Sequence, residues 1–216
     1  MSLPAKIKTL LHEPAAQASA ELREFGLQAR FVAAGSRDPS TKVGSILLKR
    51  SAQPVYYRYK MEDGSAGELF GSHYRVIGLG CNNLPPGVPE PEGIWLPENR
   101  ALKLKLILCA EAAALLAAAR VGEKTDGAIL VSTHYPTAHD AVLICSAGVS
   151  AVYVDQAGFN DHSFDRWGDS WRDAREVFDG HNVPVYGLML PLRANHPLLF
   201  DLIDQSERTG YVPQAD

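Results

Sequence analysis

Beyond residue 108 the sequence switches regularly between helical and strand-like segments, and this alternation narrows the fold more than any other feature. Cys109–Arg120 is dominated by alanine, the residue that enters a helix at least cost. Ala128–Ser132 is a short apolar run of strand composition. A helical segment follows at Ala138–Ala147, then a strand at Ala151–Val154, a helix near Trp171–Phe178 and a strand at Val183–Leu190. Strands separated by helices cannot close tight hairpins, so they pair in parallel with the helices packed on the sheet faces. The second half therefore predicts an α/β layered fold. Pro197–Ser206 reads as a terminal helix.

The first half is organised differently. Residues 1–16 are expected to form an irregular or partly helical lead-in, and Gln17–Ala34 carries Leu22, Phe25, Leu27, Ala29, Phe31 and Val32 as an amphipathic helix, stopped at Gly35. Asp38-Pro39-Ser40-Thr41 is turn chemistry ahead of a short buried strand, Val43–Leu48. The polar segment Ser51–Ser72 contains Asp63-Gly64 and predicts an extra hairpin before a second strand at His73–Gly80. Asn82–Glu98 holds five prolines and must be loop. The expected division is a lead-in over 1–16, one domain over 17–190, and a helix and tail over 191–216.

Charge and cysteine content exclude several roles. A formal net charge of -4 supplies no general basic field, so general nucleic-acid binding is not expected. Three scattered cysteines cannot make a disulfide framework, and no apolar run is long enough to span a bilayer. With no signal-peptide pattern at the N-terminus, a cytoplasmic location with reduced thiols is expected. A small polar ligand remains open as a partner.

Five segments carry a resemblance. They are Ser36-Arg37-Asp38-Pro39-Ser40-Thr41-Lys42-Val43-Gly44, Gly80-Cys81-Asn82-Asn83-Leu84-Pro85-Pro86-Gly87, Cys109-Ala110-Glu111, Pro136–Ala141 followed by Ala147-Gly148-Val149, and Arg166-Trp167 through Phe178 and Val183. In order and spacing they resemble the deoxycytidylate (dCMP) deaminase family. That resemblance implies a cytidine-deaminase-like three-layer fold, with a central mixed sheet of about five strands flanked by helices. It implies a pyrimidine nucleotide or related small molecule as partner, and assembly as a homo-oligomer.

The same resemblance implies a zinc site, where this chain departs from the pattern. Zinc deaminases activate water on a metal held by one His or Cys and two Cys, and a Glu shuttles protons. Glu111 occupies the proton-shuttle position. Cys109 stands for the usual His and is still a good zinc ligand. Thr137 and Asp140 stand where the two cysteines belong. In one reading Cys109 and Asp140 join His139 or His134 in a substitute metal site. In the other, Thr137-Ala138-His139-Asp140 is a capping box that starts a helix and needs no metal. Zinc therefore remains possible only through an atypical donor set.

On the substrate side, Asn82 matches the family's nucleoside contact, though it can equally be a turn residue. His134 and Tyr135 fall beside the pyrimidine position, where Tyr135 would stack on a base or simply pack. Arg37 and Lys42 would meet a phosphate or solvent, and Trp167 and Trp171 read as packing or interface. Three functions follow: a hydrolytic deaminase of a (deoxy)cytidine nucleotide or modified analogue with an atypical metal site; a metal-free pseudoenzyme acting as nucleotide sensor or regulatory subunit; and different nucleotide chemistry with Cys109 as nucleophile.

Overall fold

Short apolar strands separated by helices bury best as the middle layer of a sandwich, and the chain does this. The structure, a computed structural model, describes residues 8–12, 18–61, 63–191 and 198–202. Helix α1 (Ala20–Ala34) starts where the Ser19 hydroxyl accepts from the Leu22 amide. Strands β1 (Gly44–Lys60) and β2 (Ala66–Cys81) form a long antiparallel hairpin. Then come α2 (Arg100–Leu106), α3 (Ala110–Arg120), β3 (Ile129–Ser132), α4 (Ala138–Ser146), β4 (Ala151–Asp155), α5 (Asp161–Gly180), β5 (Val185–Leu188) and β6 (Leu198–Leu202).

The sheet order is β2-β1-β3-β4-β5, with β6 pairing to the outer part of β1. β1 is antiparallel to β2 and β3, whereas β3, β4 and β5 run parallel, as their intervening helices require. Residues alternate between the two faces. Leu47, Leu130, Val152 and Val154 pack with Ala114, Ala118, Ile144, Trp171 and Phe178 from α3, α4 and α5. Ile46, Leu48 and Val131 pack against Leu22, Phe25 and Ala29 of α1. The result is helix, sheet, helix: the expected α/β fold with a mixed central sheet.

Two glycines set where α3 lies. A β-carbon on Gly78 would collide with the Ala114 carbonyl, and one on Gly80 with the Ala110 carbonyl. Glycine in β2 and alanine in α3 thus let helix and strand backbones touch. This close approach fixes the first turn of α3, which carries Glu111, over the end of the sheet.

Several expectations change. The segment 51–72 adds no separate hairpin; it prolongs β1 and β2, which close through a turn with Gly64 at φ 82°. The α2 helix follows the proline-rich loop, and α5 spans far more than Trp171–Phe178. The terminal helix expected over Pro197–Ser206 is overturned at Leu198–Leu202, which are a strand antiparallel to β1. Backbone pairing to an open strand edge outweighs local helical preference there. Pro197 and residues 203–206 lie outside the described residues. Among the described residues no helix is long and apolar enough to cross a membrane.

Candidate active site

A cleft opens at the ends of β1 and β3, between the starts of α3 and α4, with α2 and α5 as its walls. Its floor holds Cys109, Glu111 and Asp140. Glu111 sits in the first turn of α3 and is 3% exposed. Ser132 donates to its Oε1 at 2.8 Å, and Ser45 donates to the Ser132 hydroxyl at 3.0 Å. Burial, and then the nearby Asp140 charge, push the Glu111 carboxyl up to about 8; the serine hydroxyls pull the other way. At neutral pH this group holds a proton.

Thr137 and Asp140 build the capping box. The Thr137 hydroxyl donates to Asp140 Oδ2 at 2.6 Å, the Thr137 amide reaches the same oxygen at 3.4 Å, and the Asp140 amide donates back to Thr137 Oγ1 at 3.4 Å. One carboxylate oxygen and the hydroxyl are therefore committed to starting α4. The other oxygen, Asp140 Oδ1, is buried without a hydrogen-bond partner.

These residues do not fit zinc. The metal needs three protein donors converging on one point. Cys109 and Asp140 Oδ1 are on the floor, but Thr137 is bonded within the cap. His139 is exposed on α4 and does not line the cleft. His134 lines the cleft, with its ring Nδ1 3.2 Å from the Thr133 hydroxyl. Among the described residues no group of three His, Cys, Asp or Glu side chains is placed to hold a metal. Cys109 is equally unsuited to nucleophilic attack. Burial, then Asp140 and Glu111, push its thiol well above the usual range, so the reactive thiolate is suppressed.

The substrate-side residues divide. Asn82, just beyond β2, accepts from the Val43 amide at 2.7 Å and donates to the Thr41 carbonyl at 2.6 Å. It lines the cleft, yet both ends of its amide clamp the entry to β1. Asn82→Ala would leave these half-buried backbone groups unpaired and should cost about 1 kcal/mol, measurable as a lowered denaturation midpoint with or without ligand. Tyr135 is buried among Phe159, Trp171 and Phe178, with its hydroxyl donating to the Leu10 carbonyl at 3.2 Å. That is packing geometry, with one edge on the cleft. Burial lowers the His134 pKa, so it is a neutral donor and acceptor.

Of the basic residues considered from sequence, Arg37 pairs with Glu90 at 2.7 Å and Lys42 is exposed; neither lines the cleft. The cations that do are Arg100, Lys103 and Arg166. Lys103 Nζ lies 2.9 and 3.1 Å from the Asp38 oxygens and 2.8 Å from the Ser40 hydroxyl, a buried ion pair joining α2 to the β1 entry. Arg100 and Arg166 stand 5.4 and 5.9 Å from the Trp167 ring centroid. The signal for α2 was present, because Arg100 and Lys103 are three apart and share a helical face. The preceding prolines masked it.

The crystal structure of dCMP deaminase from cyanophage S-TIM5 in apo form matches this architecture with a TM-score of 0.51 at 22% identity, over 79% of this chain and 100% of that one. The fold is cytidine-deaminase-like. The same phage protein in complex with dCMP and dUMP gives a TM-score of 0.50 at 22% identity, over 80% of this chain and 100% of that one. A protein of Aliivibrio fischeri, named an uncharacterized deaminase in the luxG 3' region, is 26% identical over 170 residues, or 79% of this chain and 95% of that protein. No protein-family profile matches the sequence. Glu111 lines the cleft of this fold, and Thr137 and Asp140, which stand where the sequence resemblance expects two cysteines, form the α4 cap.

Proposed function

We propose that the chain is a nucleotide-binding protein derived from a dCMP-deaminase-like ancestor that no longer performs zinc-dependent deamination. The observation that carries this reading is the Thr137–Asp140 capping box, which takes up two expected ligand positions while the cleft and Glu111 persist. Hydrolytic deamination at neutral pH needs a water whose pKa is brought from about 15.7 to about 7 by the metal. A buried carboxyl that itself holds a proton is no substitute. A sensor or a regulatory subunit needs only the cleft, and a pyrimidine nucleotide is the ligand suggested by the fold resemblance.

The test is metal content and ammonia release, measured on the purified full chain after incubation with zinc. Little bound zinc and no ammonia from dCMP are expected. A double variant, Thr137→Cys with Asp140→Cys, should gain about one zinc per chain by joining Cys109 in a three-cysteine set. Stoichiometric zinc in the unaltered protein, lost in Cys109→Ala, would overturn the reading and restore an atypical deaminase.

A further inference from the structure

Residues 8–12 are a strap fastened to α5 and β5. The Leu10 side chain, 2% exposed, enters the core cluster that holds Tyr135, Trp171 and Phe178, and its carbonyl accepts from the Tyr135 hydroxyl at 3.2 Å. The Thr9 carbonyl accepts from Arg175 Nη1, also at 3.2 Å. The His12 amide donates to the Val185 carbonyl at 2.8 Å, and the Val185 amide donates back to His12 Nδ1 at 2.9 Å. On the other side of the ring, His12 Nε2 lies 2.9 Å from Asp179 Oδ1. These contacts decide the tautomer. A ring nitrogen that accepts from an N–H carries no proton, so Nδ1 is bare and the Nε2–H donates to Asp179. A proton added at Nδ1 would set one N–H donor against another and end the Val185 bond.

We propose that His12 is an acid-sensitive latch: on taking a second proton its ring keeps Asp179, gives up Val185 and frees the strap from β5. Among the described residues, the charged groups facing it come from α5. They are Asp179 and Arg175, whose Nε lies 2.8 Å from both Asp179 oxygens. The strap itself adds Lys8, and β5 carries no charged side chain. Hydrogen bonds from Arg175, then one from His12, hold the Asp179 carboxyl below its ordinary range against a cost of burial, so it stays ionised while an imidazole charges. Asp179 draws the proton onto the ring and the Val185 amide resists it, so both contacts cannot stay at full strength as the ring titrates. The effect reaches the cleft, because the Tyr135 ring, tied to the strap by its hydroxyl, has one edge on it. Undocking therefore loosens a cleft wall from behind, whatever the cleft binds.

Nuclear magnetic resonance of the full chain between about pH 8 and about pH 5, where imidazoles charge, is the test. At the upper end the His12 ring should show the Nε2–H tautomer. As it charges, exchange protection of the Val185 amide should fall at least about fivefold, the worth of one net hydrogen bond. The Leu10 methyl and Tyr135 ring signals should shift along the same curve. His12→Asn sets a non-titrating oxygen near the Nδ1 position, so Val185 protection should then stay level across the range. That variant leaves His134 in place and so separates the two histidines. Asp179→Asn removes the charge that draws the proton, and should move the loss of protection to lower pH. Val185 protection that holds while the His12 ring charges would overturn the proposal, and this measurement decides alone if His12→Asn fails to fold. An equal loss in folded His12→Asn, or a loss that stays at its original pH in Asp179→Asn, would also overturn it.

Discussion

A Glu111→Gln variant is expected to lose much of the decline in folding stability that the unaltered chain shows as pH rises from about 4.5 to about 8. Burial and the Asp140 charge make the Glu111 carboxylate costly in the folded state, so the folded chain keeps this proton up to about pH 8. The unfolded chain releases it near the ordinary value of 4.5. Stability from this group is therefore complete below 4.5 and is lost as pH rises through 8. The size should be on the order of a few kcal/mol, since each unit of pKa difference corresponds to about 1.4 kcal/mol. His134 works in the opposite sense: its pKa is lowered by burial, so its contribution falls away as pH drops below 6.5. Glutamine keeps the shape of Glu111 and can still accept from Ser132, so the difference between the two proteins isolates the carboxyl. Denaturant midpoints across the range are the measurement. An equal slope in the variant would assign the pH dependence to other groups and remove Glu111 as the buried proton carrier.

The second large effect is expected at Lys103. Its ammonium and the Asp38 carboxylate are a buried pair, with side chains 8% and 4% exposed, and the Ser40 hydroxyl completes the contact. Hydrogen bonds from Ser40 and the Lys103 charge hold the Asp38 carboxyl below its usual range despite the opposing cost of burial. Lys103→Met would strand Asp38 as an uncompensated buried charge, and breaking such a pair by removing one partner costs about 3–5 kcal/mol. Adding Asp38→Asn removes the stranded charge while keeping an acceptor for the Ser40 amide. The double variant should recover about half or more of the loss, since an uncompensated charge is the larger part of that penalty. Equilibrium unfolding of the two single variants and the double variant closes the cycle. Equal losses in Lys103→Met and in the double variant would show that the stranded charge is not what destabilises the chain.

The parallel half of the sheet was legible because it is written in local patterns. The alanine run of α3, and the Thr137–Asp140 spacing that starts α4, both determine structure within a few residues. The antiparallel half was less so. The residues from Ser51 to Ser72 are polar because much of the outer hairpin is exposed, and polarity hid the continuity of β1 and β2. Leu198–Leu202 reads as helix in isolation, and only pairing with the distant Tyr57–Lys60 makes it a strand. The candidate site was legible to the same degree. Glu111, Cys109 and Asp140 line one cleft, but whether Thr137 and Asp140 bind a metal or a helix end is decided by which atoms they face. Arg100 and Lys103 were missed because the prolines before them masked the helix that turns both into the cleft, and Arg166 entered only as part of the resemblance, with no role read for it.

The return of β6 gives β1 two partners along one edge: β3 beside its inner part and β6 beside its outer part. While a polypeptide is being synthesised, the outer segment Tyr57–Lys60 exists long before Leu198–Leu202 emerges. Its backbone amides and carbonyls on that edge are meanwhile open to any other extended strand. Long-range pairing of this kind is slow to form and leaves the unfinished chain open to association. The same few backbone bonds that complete the hairpin are thus a guard that arrives last, and conditions that delay it favour strand exchange between copies over correct closure.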